Sequence, residues 1–376
     1  MSVNKKNLQT AVAAFIAFLF AGCSSKTEIP VNPSVAAPIR VMLKQDVNVY
    51  LKGVNSGTAF TVDFGDGTIV DAVVPAPATH AYTKGSDYMI SVSSPVLDEN
   101  HVSKLRCYPL EALSSAQKNF RDPSYKKIWV MTHRAHTADP TVPENSVSSV
   151  KAAIAAGAEA LECDTQRTKD GHIVICHDLS INRTTTGAGD IPSLTLAEIK
   201  SYKLLDRNGN PTNETMPTLE EFLKACRGRI YVDLDYSPRT ASTAEVMAVV
   251  EKLEMMEQVW FYCNSVEKCR EVLSISPRAH AYTWATAYEP LKGLEGPYFV
   301  QYSYSPTSGS TSIGTAVRDG MLCSVCMLSA LNNKIPEYSI DESQLTELLT
   351  SYPDVKMIMT DAPERLIESL AKRNLR

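Results

Sequence analysis

Apolar positions alternate with polar ones in the first third of the chain and gather into short unbroken runs afterwards. Val47-Asn48-Val49-Tyr50-Leu51 and Tyr88-Met89-Ile90-Ser91-Val92 alternate with period two, as strands with one buried face do. Runs of this kind predict a small all-β domain over residues 37–109. Asp63-Phe64-Gly65-Asp66-Gly67-Thr68 is a turn between two of its strands, with Asp63 and Asp66 as turn caps. Residues 110–126 read as a helical linker.

The 250 residues from 127 to 376 carry a different pattern. Apolar strand-like runs at 128–132, 160–165, 229–235, 259–263, 280–284, 298–302, 322–327 and 356–360 alternate with helical periodicity. Such runs belong to parallel strands buried on both faces. Eight runs in this length predict an α/β fold, an eight-stranded β/α (TIM-type) barrel behind the all-β domain. A further run at 172–176 follows the turn Lys169-Asp170-Gly171 and is expected to return as a hairpin. Residues 146–156 and 219–226 are expected helices. Thr218 caps the second, with Glu221 three residues on.

The N-terminus changes the picture of where the protein works. Lys5 and Lys6 precede a short apolar run at 11–20, too short for a comfortable membrane span, and Phe20-Ala21-Gly22-Cys23 follows. This resembles a bacterial lipoprotein signal, with Phe20 where leucine is usual. The resemblance implies a signal peptide over 1–22, lipidation of Cys23, a polar tether over 23–36, and a lipid anchor in the bacterial cell envelope, on its periplasmic or surface face. A formal charge of −5 and a pI near 5.9 give no reason to expect nucleic acid as a partner. No obligate protein partner is expected. Of nine cysteines, Cys163, Cys176, Cys263, Cys323 and Cys326 sit in apolar runs and read as small buried hydrophobes.

Candidate chemistry is concentrated between Thr132 and Asp178. Glu162 and Asp164 stand two apart in an apolar run, so a strand aims both carboxylates at one spot. Paired carboxylates suit a hard cation, Mg²⁺ or Ca²⁺. His133 and His177 offer general acid and base chemistry, and Arg134 a planar fork of donors for phosphate oxygens. His133 follows the first barrel run, the acids lie late in the second, and His177 ends the return run. All point to the rim at the C-terminal strand ends, where barrel active sites gather.

These residues carry a family resemblance. His133-Arg134-Ala135, Pro143-Glu144-Asn145-Ser146, Glu162-Cys163-Asp164, Thr168-Lys169-Asp170-Gly171, His177-Asp178 and Arg183-Thr184-Thr185 occur in the order typical of the glycerophosphodiester phosphodiesterase family. The resemblance runs from about Lys127 onward and thins after Thr186. It implies a metal-dependent phosphodiesterase with His133 and His177 as the acid–base pair, Arg134 beside the phosphate, and a small soluble glycerophosphodiester as substrate. It leaves two attackers open: water, or the substrate's neighbouring hydroxyl, which forms a cyclic phosphate that water then opens. In the first domain, the Asp63 turn with His80-Ala81-Tyr82 and Gly85-Ser86-Asp87-Tyr88 resembles the PKD domain, an immunoglobulin-like β-sandwich.

The third metal ligand is expected from Asp233 or Asp235, which share a strand face; Asp235, nearer the strand end, is preferred. Glu144 and Asn145 are expected to order the first loop, Glu144 by fixing Arg134 and Asn145 by capping the next helix. Asp178 and Arg183 are expected around His177, and His136 as plain loop. Three departures from the family stand out. The lysine that follows the third acid by two is missing, with Ser237 at that position; Ala135 replaces a glycine; and the seventh-strand aromatic is absent, leaving Trp284 and Tyr302 as replacements. The lost lysine keeps one rival open, a phosphodiesterase for another alcohol such as an inositol phosphodiester. A second rival, a surface binding protein on this scaffold, is opposed by the intact His133, His177, Glu162 and Asp164. The first domain holds no catalytic candidate, so a barrel starting near Ser124 is expected to keep its turnover.

Overall fold

The computed structural model describes residues 33–236, 239–284, 301–304, 313–318, 322–328 and 339–376. The N-terminal part forms eight strands: β1 (Ser34–Ala36), β2 (Arg40–Leu43), β3 (Asp46–Lys52), β4 (Ala59–Asp63), β5 (Ile69–Val73), β6 (Ala78–Ala81), β7 (Ser86–Ser93) and β8 (His101–Glu111). They make two sheets, ordered β1-β3-β6 and β2-β8-β7-β4-β5. The alternation has the expected cause: Val47, Val49 and Leu51 from one sheet and Val62, Ile90, Val92 and Leu105 from the other share one core. Asp63 and Asp66 cap the turn, accepting from the backbone N–H groups of Gly65 and Thr68 at 2.8 and 3.0 Å.

The C-terminal part is a ring of parallel strands: β9 (Trp129–Thr132), β10 (Ala160–Arg167), β12 (Tyr231–Asp235), β13 (Val259–Cys263), β14 (His280–Trp284), β15 (Gln301–Tyr304), β16 (Cys323–Met327) and β17 (Met357–Thr360). β17 pairs back with β9, and β9 with β10, so the sheet closes. β11 (Ile173–Ile175) returns antiparallel along β10, as the hairpin turn requires. Helix Leu219–Cys226 opens on the expected cap, with Thr218 and Glu221 each accepting the other's backbone N–H.

Inward side chains stack in layers because the strands alternate. The bottom layer is aromatic. The rings of Trp129 and Tyr231 stack at 4.9 Å, with Trp260 at 6.3 Å from Trp129. The segment after β8 closes this end and does not hang free as a linker. Leu113, Ala116 and Phe120 belong to the barrel core, and the Phe120 ring lies 5.1 Å from Trp129. The Tyr231 hydroxyl donates to the Glu111 carbonyl at 2.6 Å, and the Ser114 N–H to Glu257 at 3.0 Å. Gly228 comes so close to Tyr108 that a Cβ there would sit 2.1 Å from the ring, and its φ of +70° also calls for glycine.

Eight cysteines, from Cys107 to Cys326, are free and buried. No helix among the described residues is long and apolar enough to cross a membrane. Cys23 and the proposed signal lie outside the described residues, as does Ser237.

Candidate active site

The upper layers are acidic. β10 and β12 pair in register, Glu162 beside Asp233 and Asp164 beside Asp235. Two neighbouring parallel strands therefore turn four carboxyl groups to the barrel interior. Asp233 is the deeper of its pair, with no exposed surface, and its Oδ2 accepts from the Tyr282 hydroxyl. Carboxylate oxygens of Glu162, Asp164 and Asp235 all lie within 4.8 Å of one another. Burial, then the charges of Asp164 and Asp235, push the Glu162 carboxyl well above its ordinary range, and burial does the same to Asp233. Buried like charges this close call for a cation, and an all-oxygen donor set suits a hard divalent one. Asn145 supports the cluster by donating Nδ2 to Asp164 at 2.9 Å, while its buried Oδ1 has no hydrogen-bond partner among the described residues.

Both histidines face this cluster. His133 follows β9 and Asp361 follows β17; Thr132 pairs with Thr360, so the two lie side by side on the rim. His133 Nδ1 meets Asp361 Oδ1 at 2.7 Å, and His177 Nδ1 meets Asp178 Oδ1 at 2.8 Å. Each carboxylate engages the Nδ1 of its ring, so that any proton transfer by these rings would fall to Nε2. His133, His177, Glu162, Asp164, Asp235 and Arg239 line a cavity of about 160 Å³, with Tyr262 and Tyr282 as an aromatic wall.

A chain of polar contacts links the histidines behind the cavity. Asp361 also accepts from His136 at 3.0 Å, and His136 Nε2 lies 3.7 Å from Glu144. Glu144 takes Arg183 with both oxygens, at 2.7 and 2.8 Å. Arg183 reaches Asp178 at 2.7 Å, beside His177. His136 lies in the loop after β9, as expected, but it and Asp361 also belong to the site, because strand register brings together groups 225 positions apart.

The first loop differs from expectation in one respect. Asn145 does not cap helix Val147–Ala156; Ser146 does, accepting from Ser149 N–H at 3.0 Å. A left-handed Asn145, φ +53°, turns its amide toward Asp164 instead. Glu144 does reach Arg134, at 3.7 Å, but Arg183 is its closer partner. Arg134 sends its backbone N–H to Glu162 at 2.7 Å, and its Nε lies 3.8 Å from Asp164. That turn needs positive φ at both Arg134 and Ala135, and the Ala135 methyl is packed into the barrel core. The side chains of Trp284 and Tyr302 lie outside the described residues. Tyr262 and Tyr282 went unread in the sequence, although their alternate positions in the β13 and β14 runs face inward. Asp361 had a signal too, as an acid just past the last barrel strand.

Residues 133–291 match the sequence model of the glycerophosphoryl diester phosphodiesterase family. A glycerophosphodiester phosphodiesterase of Caldanaerobacter subterraneus subsp. tengcongensis is 41% identical over 96 residues, 25% of this chain and 39% of that protein. Human glycerophosphodiester phosphodiesterase 1 is 34% identical over 147 residues, 37% of this chain and 42% of that protein. The chain thus spans less than half the length of these two curated relatives. Among solved structures, a glycerophosphoryl diester phosphodiesterase from Parabacteroides distasonis superposes with a TM-score of 0.59 at 18% identity, over 69% of this chain and 92% of the other. A phosphodiesterase from Oleispira antarctica, solved with its product sn-glycerol-3-phosphate, gives 0.52 at 19% identity, over 65% and 96%. The structures speak for the fold, and the sequence matches for a likeness carried by part of the barrel: over residues 133–291 this chain is similar to the glycerophosphoryl diester phosphodiesterase family.

Proposed function

We propose that the barrel hydrolyses small soluble glycerophosphodiesters to an alcohol and glycerol phosphate, using His133 and His177 as the acid–base pair and a divalent cation, Mg²⁺ or Ca²⁺. The observation that carries this is the convergence of two carboxylate-oriented imidazoles and three clustered carboxylates on one cavity. Glu162, Asp164 and Asp235 would hold the cation. Asp233 is the weaker candidate, since the Tyr282 hydroxyl already engages it. A cation bound there supplies charge neutralisation to the phosphate oxygens. One histidine removes the proton from the attacking oxygen, and the other returns one to the leaving alkoxide. Asp361 and Asp178 keep both rings oriented and stabilise whichever is protonated. Arg134 supplies the fork for the phosphate.

The missing lysine favours one further reading, a related phosphodiester with another alcohol. A hydrolysis screen over glycerophosphodiesters and inositol phosphodiesters, with and without added Mg²⁺ or Ca²⁺, tests both. Turnover that needs a divalent ion and is greatest on glycerophosphodiesters supports the proposal. No turnover on any of them would leave the scaffold as a binding protein.

The same proposal includes location. Supported by Phe20-Ala21-Gly22-Cys23, Cys23 is acylated and holds the protein on an envelope membrane, each buried CH₂ contributing roughly 0.8 kcal/mol. The tether and a PKD-like, immunoglobulin-like first domain hold the barrel away from the lipid. Cys23→Ser then leaves the protein unprocessed, or releases it from the membrane fraction if the signal is cut elsewhere. Unchanged membrane association after normal processing would contradict the anchor.

A further inference from the structure

The missing lysine and the crowded carboxylates meet at one side chain, Arg239. It lies four residues beyond Asp235, in the wall of the catalytic cavity. Its Nη2 sits between two of the clustered carboxylates, 2.7 Å from Asp164 Oδ1 and 2.9 Å from Asp235 Oδ2. Its Nη1 donates to the His177 carbonyl at 2.8 Å, which keeps the head group beside the catalytic imidazole. Its Nε is buried and has no hydrogen-bond partner among the described residues.

We propose that Arg239 is an internal counter-cation: it neutralises Asp164 and Asp235 in the metal-free protein, gives up their oxygens to the divalent ion, and then offers its guanidinium to the substrate phosphate in place of the absent strand lysine. The inference rests on the metal reading above. A carboxylate lone pair directed at a guanidinium N–H is not available to a metal, so the two cations compete for Asp164 and Asp235. Competition of this kind is reciprocal, and whatever Arg239 gains from the carboxylates is subtracted from metal affinity. Once displaced, the guanidinium remains tethered at His177 and is always charged. It is suited to bidentate contact with phosphate oxygens, which a lysine makes only as a point charge. Arg239 is therefore both a brake on metal loading and a substrate contact, and removing it moves two measurements in opposite directions.

The test is isothermal titration of CaCl₂ and of MgCl₂, each alone, into the purified full chain and its Arg239→Ala and Arg239→Lys variants, alongside kinetics on sn-glycero-3-phosphocholine. Arg239→Ala is expected to bind the ion about tenfold more tightly, within the roughly 5–150-fold range usual for coupled sites, yet to lose kcat/KM at saturating metal. Arg239→Lys keeps the charge with a single donor group and is expected to fall between. Thermal unfolding gives a second readout that tolerates a weakened fold: added Ca²⁺ raises Tm more in Arg239→Ala than in the parent, because only the metal-free variant lacks a neutralising cation. Equal or weaker ion binding in Arg239→Ala, with an unchanged Tm gain, overturns the inference. A parent protein that binds neither ion sinks the metal reading itself, which is a distinct result.

Discussion

Glu144 holds Arg183 by both carboxylate oxygens, at 2.7 and 2.8 Å, and so ties the loop after β9 to the loop that carries His177. Neither residue faces the cavity. Removing a polar partner behind a catalytic group usually costs about 10–100-fold in activity. Glu144→Gln and Arg183→Met should each lower kcat by that order, with KM less affected. A normal kcat in both would mean that the loops hold their shape without the pair.

The same pair makes stability depend on pH. Burial works to raise the Glu144 carboxyl, but Arg183 and His136 outweigh it and hold the group well below its ordinary 4.5. Its folded value lies below its unfolded one, so its contribution is fully present above about pH 4.5 and drains away as pH falls through the folded value. Urea unfolding at pH 7 and pH 3.5 should show Glu144→Gln less stable than the parent at pH 7 and closer to it at pH 3.5. A constant gap at both values would contradict this.

His133→Ala and His177→Ala should each lower turnover by about 10²–10⁴-fold, the usual value of a positioned acid or base. Circular dichroism should remain that of the parent. Near-normal turnover in either would remove that histidine from the chemistry.

Asp235→Asn should weaken Ca²⁺ binding more than Asp233→Asn. Asp235 shares the 4.8 Å cluster with Glu162 and Asp164, whereas Asp233 lies deeper and is engaged by Tyr282. Isothermal titration reads the order directly, and the reverse order would move the ion down one layer. Exhaustive chelation should abolish the parent's turnover, and added Mg²⁺ or Ca²⁺ should restore it.

A barrel that begins at Ser124 loses Leu113 and Phe120, both fully or almost fully buried in the barrel core. Each such side chain is worth about 1.5–3 kcal/mol, a large share of a typical stability of about 5–15 kcal/mol. The barrel cut at Ser124 should therefore unfold at a markedly lower temperature than one beginning at Leu110. Turnover per folded molecule should match in the two, since the lost segment closes the end opposite the cavity. Equal melting temperatures would show that the aromatic layer seals itself.

Legibility followed sequence distance. The period-two runs, the hairpin after Asp170 and the Thr218 cap depend on neighbours in the chain, and the pattern showed them. The placing of Glu162 with Asp164, and of Asp233 with Asp235, needed only the alternation of a strand. Asp361 and Arg239 were missed because their roles depend on partners outside their own runs. Asp361 meets His133 across 228 positions, through a register between the first and last barrel strands that no local pattern encodes. Arg239 lies past the β12 run, where spacing says nothing of which way a long side chain turns. Asn145 was misread for a related reason: it is a good capping residue in isolation, but a buried carboxylate 19 positions away claimed its amide.

The buried thiols carry one more consequence. Burial lifts the Cys107 thiol to about 11 and the Cys176 thiol to about 12, so neither forms appreciable thiolate at neutral pH while the chain is folded. In an oxidising medium the eight sulfurs are thus protected only by the fold, and the chain must bury them before an oxidant pairs them wrongly. Alkylation by a maleimide then becomes a clock for opening. Cys107 reports when the two-sheet domain comes apart, and Cys163, Cys263 and Cys326 report when the barrel ring breaks.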